Sequence, residues 1–141
     1  MKTIRAAVVA LFAFSLAACD GILGNDDDNF TFGAQQITFE EGMTNEAEIN
    51  GLIRTIQVDG VFLLPHPCHN LRGNLRRTQG GIVEITITAS STSTTCQPQV
   101  QAMQYRLQTL GFSRGFYRVT VYHEIGGQPR TLINQQDVLL E

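Results

Sequence analysis

Lysine is all but missing from this chain: Lys2 is the only one among 141 residues. Everything downstream of it is therefore without a Schiff-base lysine, a P-loop lysine, or a lysine to cross-link to asparagine as in some bacterial surface sandwiches. Tryptophan is absent altogether, which argues against a carbohydrate platform built on a large flat ring. Positive charge rests on arginines such as Arg54, Arg72, Arg76, Arg77, Arg106, Arg114, Arg118 and Arg130, and the net charge is −3. No dominant basic field exists to recruit nucleic acid. Helical periodicity is scarce. The one long apolar stretch, Ala6 to Ala13, is too short for a permanent transmembrane helix.

That stretch follows Met1-Lys2-Thr3-Ile4-Arg5 and has the layout of a secretory signal: a charged start, an apolar run, then small residues. Leu16-Ala17-Ala18-Cys19 resembles the bacterial lipobox. The resemblance implies cleavage ahead of Cys19 by a signal peptidase, after diacylglycerol has been linked to its thiol. A single acyl chain holds a protein to a membrane only marginally, whereas the two or three that such lipoproteins carry, palmitate among them, hold it stably. Asp20 looks like the residue that retains lipoproteins in the inner membrane of some Gram-negative bacteria. The expected location is the cell envelope, lipid-anchored on the periplasmic side of the inner or outer membrane. Asp26-Asp27-Asp28, among glycines and asparagines, reads as a solvated tether. The expected organisation is a signal peptide over 1–18, a lipidated cysteine and acidic tether over 19–33, and one folded domain over 34–141.

Apolar and polar residues alternate through the folded part, and β-branched residues are frequent, so the segments read as strands. Gln35 to Phe39 is a short first strand. Thr44 to Ile49 reads as one helical turn capped by Asn45, with Glu48 three residues on. Asp59-Gly60, lying between two apolar runs, predicts a tight hairpin, the alternative being one bulged strand through to Pro65. Further strands fall at Leu71 to Arg77, Ile82 to Ala89, about Met103 to Gln108, Phe116 to His123 and Arg130 to Gln135. Val83, Ile85, Ile87 and Ala89 share an inward face.

About seven short strands predict an all-β, antiparallel β-sandwich. Gly111-Phe112-Ser113-Arg114-Gly115-Phe116-Tyr117-Arg118-Val119 resembles the Gly-Leu-Pro-Pro-Gly-x-Tyr-x-Val stretch of immunoglobulin-like, fibronectin-type and carboxypeptidase-regulatory-like sandwich domains, without the prolines. The resemblance implies a turn at the glycine and a core strand opened by Tyr117; it transfers no site residue.

Three constellations could carry chemistry. Gly111-Phe112-Ser113-Arg114-Gly115 fits the Gly-x-Ser-x-Gly pattern of a nucleophile elbow, but that device needs a strand before it, a helix after it, and an acid then a histidine downstream. A strand follows here, and His123 precedes Asp137, so a plain turn is expected and no catalytic residue is assigned. His66-Pro67-Cys68-His69 sets two histidines beside a cysteine. If Cys19 carries lipid, Cys68 and Cys96 are expected to form a disulfide in an oxidising compartment. The alternative is a copper or zinc site using His66, His69 and His123, the ligand types those metals prefer. Lastly, Arg72, Asn74 and Arg76 share a strand face that Arg106 and Arg118 could extend into an anion-binding surface if their strands were neighbours.

The function these features predict is a membrane-anchored, non-enzymatic binding or accessory module that uses no cofactor, binds no nucleic acid and serves an envelope protein. A small metal-binding lipoprotein is the alternative. Another is an inhibitor or chaperone of an envelope enzyme that inserts its Pro65 to Asn70 loop.

Overall fold

The computed structural model describes residues 30–141; the segment read as signal peptide, Cys19 and the acidic tract lie outside the described residues. Eight strands follow in order: β1 (Phe30–Ile37), β2 (Glu46–Leu52), β3 (Thr55–Leu64), β4 (His69–Thr78), β5 (Ile82–Ser91), β6 (Gln101–Thr109), β7 (Gly115–Ile125) and β8 (Thr131–Leu140). They form two four-stranded sheets, ordered β1-β6-β3-β2 and β4-β5-β7-β8. The all-β sandwich read from the sequence is the architecture found. It is compatible with an immunoglobulin-like domain, with a strand order of its own.

Alternation explains the core. In β3 every even position faces inward: Ile56, Val58, Gly60, Phe62 and Leu64 are buried, while Gln57, Asp59, Val61 and Leu63 remain partly exposed. Val83, Ile85, Ile87 and Ala89 of β5 meet them from the other sheet, as predicted, joined by Val119 and Val121 of β7 and by Tyr105 and Leu107 of β6. Each fully buried Ile, Val, Leu or Phe contributes roughly 1.5–3 kcal/mol of transfer free energy.

Four expectations are corrected. Asp59-Gly60 is no hairpin: β3 runs straight through it, paired to β2 on one side and β6 on the other. Gly60 is needed because the Tyr105 phenol lies against its backbone, where a side chain would collide with the ring and with the Glu46 carbonyl. Thr44 to Ile49 is not a helical turn. Glu46–Leu52 form a strand whose Ala47 and Ile49 point inward and whose register with β3 is continuous. The first strand starts at Phe30, inside the stretch read as tether, because Phe30 and Phe32 pack against the core and the backbone pairs with β6 from Thr109 back to Ala102. Finally, β5 pairs with β7 in parallel, since the chain crosses to the other sheet as β6 before returning. All other pairings are antiparallel.

The sandwich has two unlike ends. At one lie Phe30, the β2–β3 turn, the β4–β5 turn, the β6–β7 loop and the end of β8. One backbone bond and one side-chain bond tie two of these together: Phe112 N–H donates to the Arg54 carbonyl at 3.2 Å, and Arg54 Nε donates to the Phe112 carbonyl at 3.2 Å. At the other lie the β3–β4 loop and the β5–β6 segment, joined by a disulfide between Cys68 and Cys96.

Candidate functional site

The disulfided end gathers the chemistry-bearing residues. Pro65 and Pro67 fix φ at two positions of the β3–β4 loop, which bends over residues 65–67. Cys68, at the threshold of β4, is bonded to Cys96 with their Cα atoms 6.0 Å apart. The Cys68 carbonyl accepts both the Thr92 N–H at 2.8 Å and the Thr92 hydroxyl at 3.3 Å, which fastens the loop to the end of β5. The His66 and His69 rings stack with centroids 4.0 Å apart, and His69 Nδ1 is 2.9 Å from the His66 carbonyl. His66 Nδ1 is buried without a hydrogen-bond partner. One donor atom each from His66, Cys68 and Cys96 lies within 4.8 Å of the others.

His123, grouped with the other histidines by the sequence reading, is not part of that cluster. It sits between the sheets, 3 % exposed, with its Nε2 2.8 Å from the Tyr105 hydroxyl and its ring stacked on Phe62 at 4.0 Å. Burial holds the imidazole at a pKa of about 4, well below its ordinary 6.5, so it is neutral at physiological pH. Its Nδ1 has no partner, and protonating both ring nitrogens would leave a charged donor unpaired between the sheets. Burial, reinforced by the Asp59 carboxylate, raises the Tyr105 phenol far above its usual range. The pair is a neutral hydrogen bond inside an apolar core. The sequence did hold a clue, since His123 continues the inward parity of Val119 and Val121.

Arg118 projects from β7 of the sheet that also carries Arg72, Asn74 and Arg76 on β4, with β5 between them, whereas Arg106 projects from β6 of the other sheet, so no one surface unites Arg106 and Arg118. Each is committed to a carboxylate instead: Arg106 to Asp59, and Arg118 to Asp137 with Nε donating at 2.8 Å. The Arg118 guanidinium holds the Asp137 carboxyl below its usual range, and the carboxylate in turn raises the Arg118 pKa. Arg76 and Arg130 both approach Glu84, at 3.9 and 3.7 Å. Exposed pairs of this kind contribute little to stability.

Ser113 lies in the β6–β7 loop, and the chain enters β7 two residues later rather than a helix. Its carbonyl accepts a hydrogen bond from the Tyr117 hydroxyl at 3.1 Å. A tyrosine near a strand start bonding back to upstream backbone is a device of immunoglobulin-like sandwiches. Phe112 is buried beneath this loop, edge-on to Tyr117 at 5.0 Å, with the Arg77 guanidinium 3.7 Å above its ring. The serine belongs to a packed corner, with no imidazole beside it among the described contacts.

A surface depression of about 570 Å³ is bounded by Gln36 to Phe39 and Gln99 to Ala102 and is wide open to solvent. No family model matches the chain, no curated protein matches it, and no solved structure matches it.

Proposed function

We propose that the protein is a lipid-anchored envelope module, fastened through Cys19 to the periplasmic side of a membrane, that binds a partner protein through its disulfided end. The observation that carries this reading is the separation of the two ends. The described chain enters the sandwich at Phe30, while the braced loop with His66, Cys68 and His69 is at the end opposite that entry point. A loop already held by a disulfide, two prolines and the Thr92 bonds loses little conformational entropy on docking. That property suits a recognition element, whether it binds a scaffold partner or inhibits or escorts an envelope enzyme.

The anchor is tested by expressing the full chain in a Gram-negative host and weighing the product. An acylated mass on Cys19, lost in Cys19→Ser, supports it; identical processing and membrane association in Cys19→Ser overturns it. The binding end is tested with a photo-crosslinking residue at Thr94, in the β5–β6 segment, against one at Gln135 on β8. The expected result is a discrete adduct from Thr94 alone, abolished by Cys68→Ser with Cys96→Ser. No adduct from Thr94 overturns the reading.

The three clustered donors favour a second reading, in which the reduced form binds zinc or copper(I) through His66, Cys68 and Cys96. Zinc bonds of about 2.0–2.3 Å place tetrahedral donors under about 4 Å apart, within reach of this cluster after small adjustment. Disulfide and metal are mutually exclusive, because the cystine sulfurs are no longer thiolates. Native mass spectrometry without reductant separates the two states: a mass two hydrogens short and metal-free retires the metal, whereas bound metal with both thiols intact supports it.

A further inference from the structure

We infer that the end of the sandwich where the chain enters is a membrane-contacting surface, which seats the domain on the phospholipid interface rather than leaving it free on its tether. The inference rests on the anchored reading above. It starts from an uneven distribution of exposed apolar side chains. Leu52 and Ile53 in the β2–β3 turn, Leu110 in the β6–β7 loop, Phe116 at the start of β7 and Leu139 near the end of β8 are 46, 79, 47, 77 and 52 % exposed and lie at that end, against Phe39, Val100 and Leu132 at the other.

They are neighbours. Phe116 and Leu139 are register partners. A methyl at Gly51 would sit 3.2 Å from Val138 Cβ and 3.3 Å from Leu140, which brings the β2–β3 turn against β8. The bonds between Arg54 and Phe112 bring the same turn against the β6–β7 loop. An exposed apolar rim on one end of a small domain is a contact surface by default. Ile, Leu and Phe at loop tips, with no helix or groove behind them, suit shallow burial at the boundary between headgroups and acyl chains.

The occupant follows from where the chain leads. Residues 20–29 are all that separates Cys19 from Phe30, and ten residues reach at most about 35 Å when fully extended. An anchored chain therefore keeps this end within that reach of the bilayer, whereas nothing tethers the disulfided end. Among the described residues at this end, Arg54 and Arg114 are exposed in the two loops and can meet headgroup phosphates, and Asp137 is occupied by Arg118, although the Asp26-Asp27-Asp28 tract just before Phe30 opposes them in charge.

The absence of tryptophan supplies the test. Ile53→Trp and Phe116→Trp each install a single reporter at this end, and Phe39→Trp installs one at the other, where Phe39 is 42 % exposed. The full chain, processed by a Gram-negative host, is reconstituted into phosphatidylethanolamine–phosphatidylglycerol vesicles with and without brominated acyl chains. The expected result is loss of most emission from the Ile53→Trp and Phe116→Trp chains on bromination, with the Phe39→Trp chain unaffected. A chain that floats with the vesicles while all three reporters stay equally bright overturns the inference and leaves the anchor standing. A chain that carries no acyl mass on Cys19 and does not float overturns the anchor and this inference together. Floating chains that are unquenched and cross-link to one another assign the rim to a second copy, and so also overturn it.

Discussion

Acidification should weaken the fold through one imidazole. In the native state His123 holds its pKa at about 4, against 6.5 for an exposed histidine, because it is buried between the sheets. Between those two values the unfolded chain takes up a proton that the native chain refuses. The native state then binds fewer protons, so stability falls as the pH drops from about 6.5 to about 4 and, for this group, no further. At about 1.4 kcal/mol per pH unit the whole window is worth roughly 3 kcal/mol. For a small domain that is a large fraction of total stability. Urea unfolding followed by circular dichroism should show the midpoint moving down by roughly 1 to 2 M between pH 7 and pH 4. The control is the double variant Tyr105→Phe with His123→Leu, which removes both hydrogen-bond partners and leaves no polar orphan. Such replacements can be nearly neutral in themselves, and the chain should then lose most of its pH dependence in this window. A wild-type midpoint that is flat from pH 7 to pH 4, or an undiminished slope in the double variant, would refute the argument.

Reduction of the Cys68–Cys96 bond should cost roughly 3 to 4 kcal/mol for a 28-residue separation in the chain-entropy account, read as a fall in Tm on adding reductant. An unchanged Tm would mean the cystine is not formed or that its loop is equally constrained without it. Gly60→Ala should destabilise by about 1–3 kcal/mol or more, because the added methyl meets the Tyr105 phenol and the Glu46 carbonyl at once; a neutral result in denaturant titration would contradict that packing. Ser113→Ala should leave stability within about 0.5 kcal/mol of wild type, since only its backbone carbonyl is used. The wild-type serine should also fail to label with a fluorophosphonate, and labelling would reopen the hydrolase reading.

Much of the sandwich was legible because period-two alternation is a local signal. The inward face of β5 and the Met103, Tyr105, Leu107 face of β6 follow from it directly. The failures came where a long-range contact decided the local structure. Asp59-Gly60 carries ordinary hairpin chemistry, yet its glycine answers to a tyrosine 45 positions away, which no window of sequence can display. The β2 segment contained the right alternation at Ala47 and Ile49, but the capping-box pattern at Asn45 and Glu48 competed with it. Asn45 instead accepts the Leu63 N–H through its side chain at 2.7 Å. At the candidate site, the expected Cys68–Cys96 bond already implied that His66, two residues from Cys68, lies near both sulfurs, and the structure brings the three donors together. His123 was misgrouped because residue type was weighed above strand parity.

The parallel pairing of β5 with β7 bears on how the domain assembles. Two parallel strands cannot be closed by a short turn, and here the 23 residues between Ser91 and Gly115 include a whole strand of the opposite sheet. Each sheet is interrupted in sequence by strands of the other, because the chain is carried across as β6 before β7 reaches its place. Such non-local closure slows folding relative to a chain of simple hairpins. It also ties the two layers together in sequence: the four strands of either sheet are not one contiguous segment and cannot be cut out as a fragment.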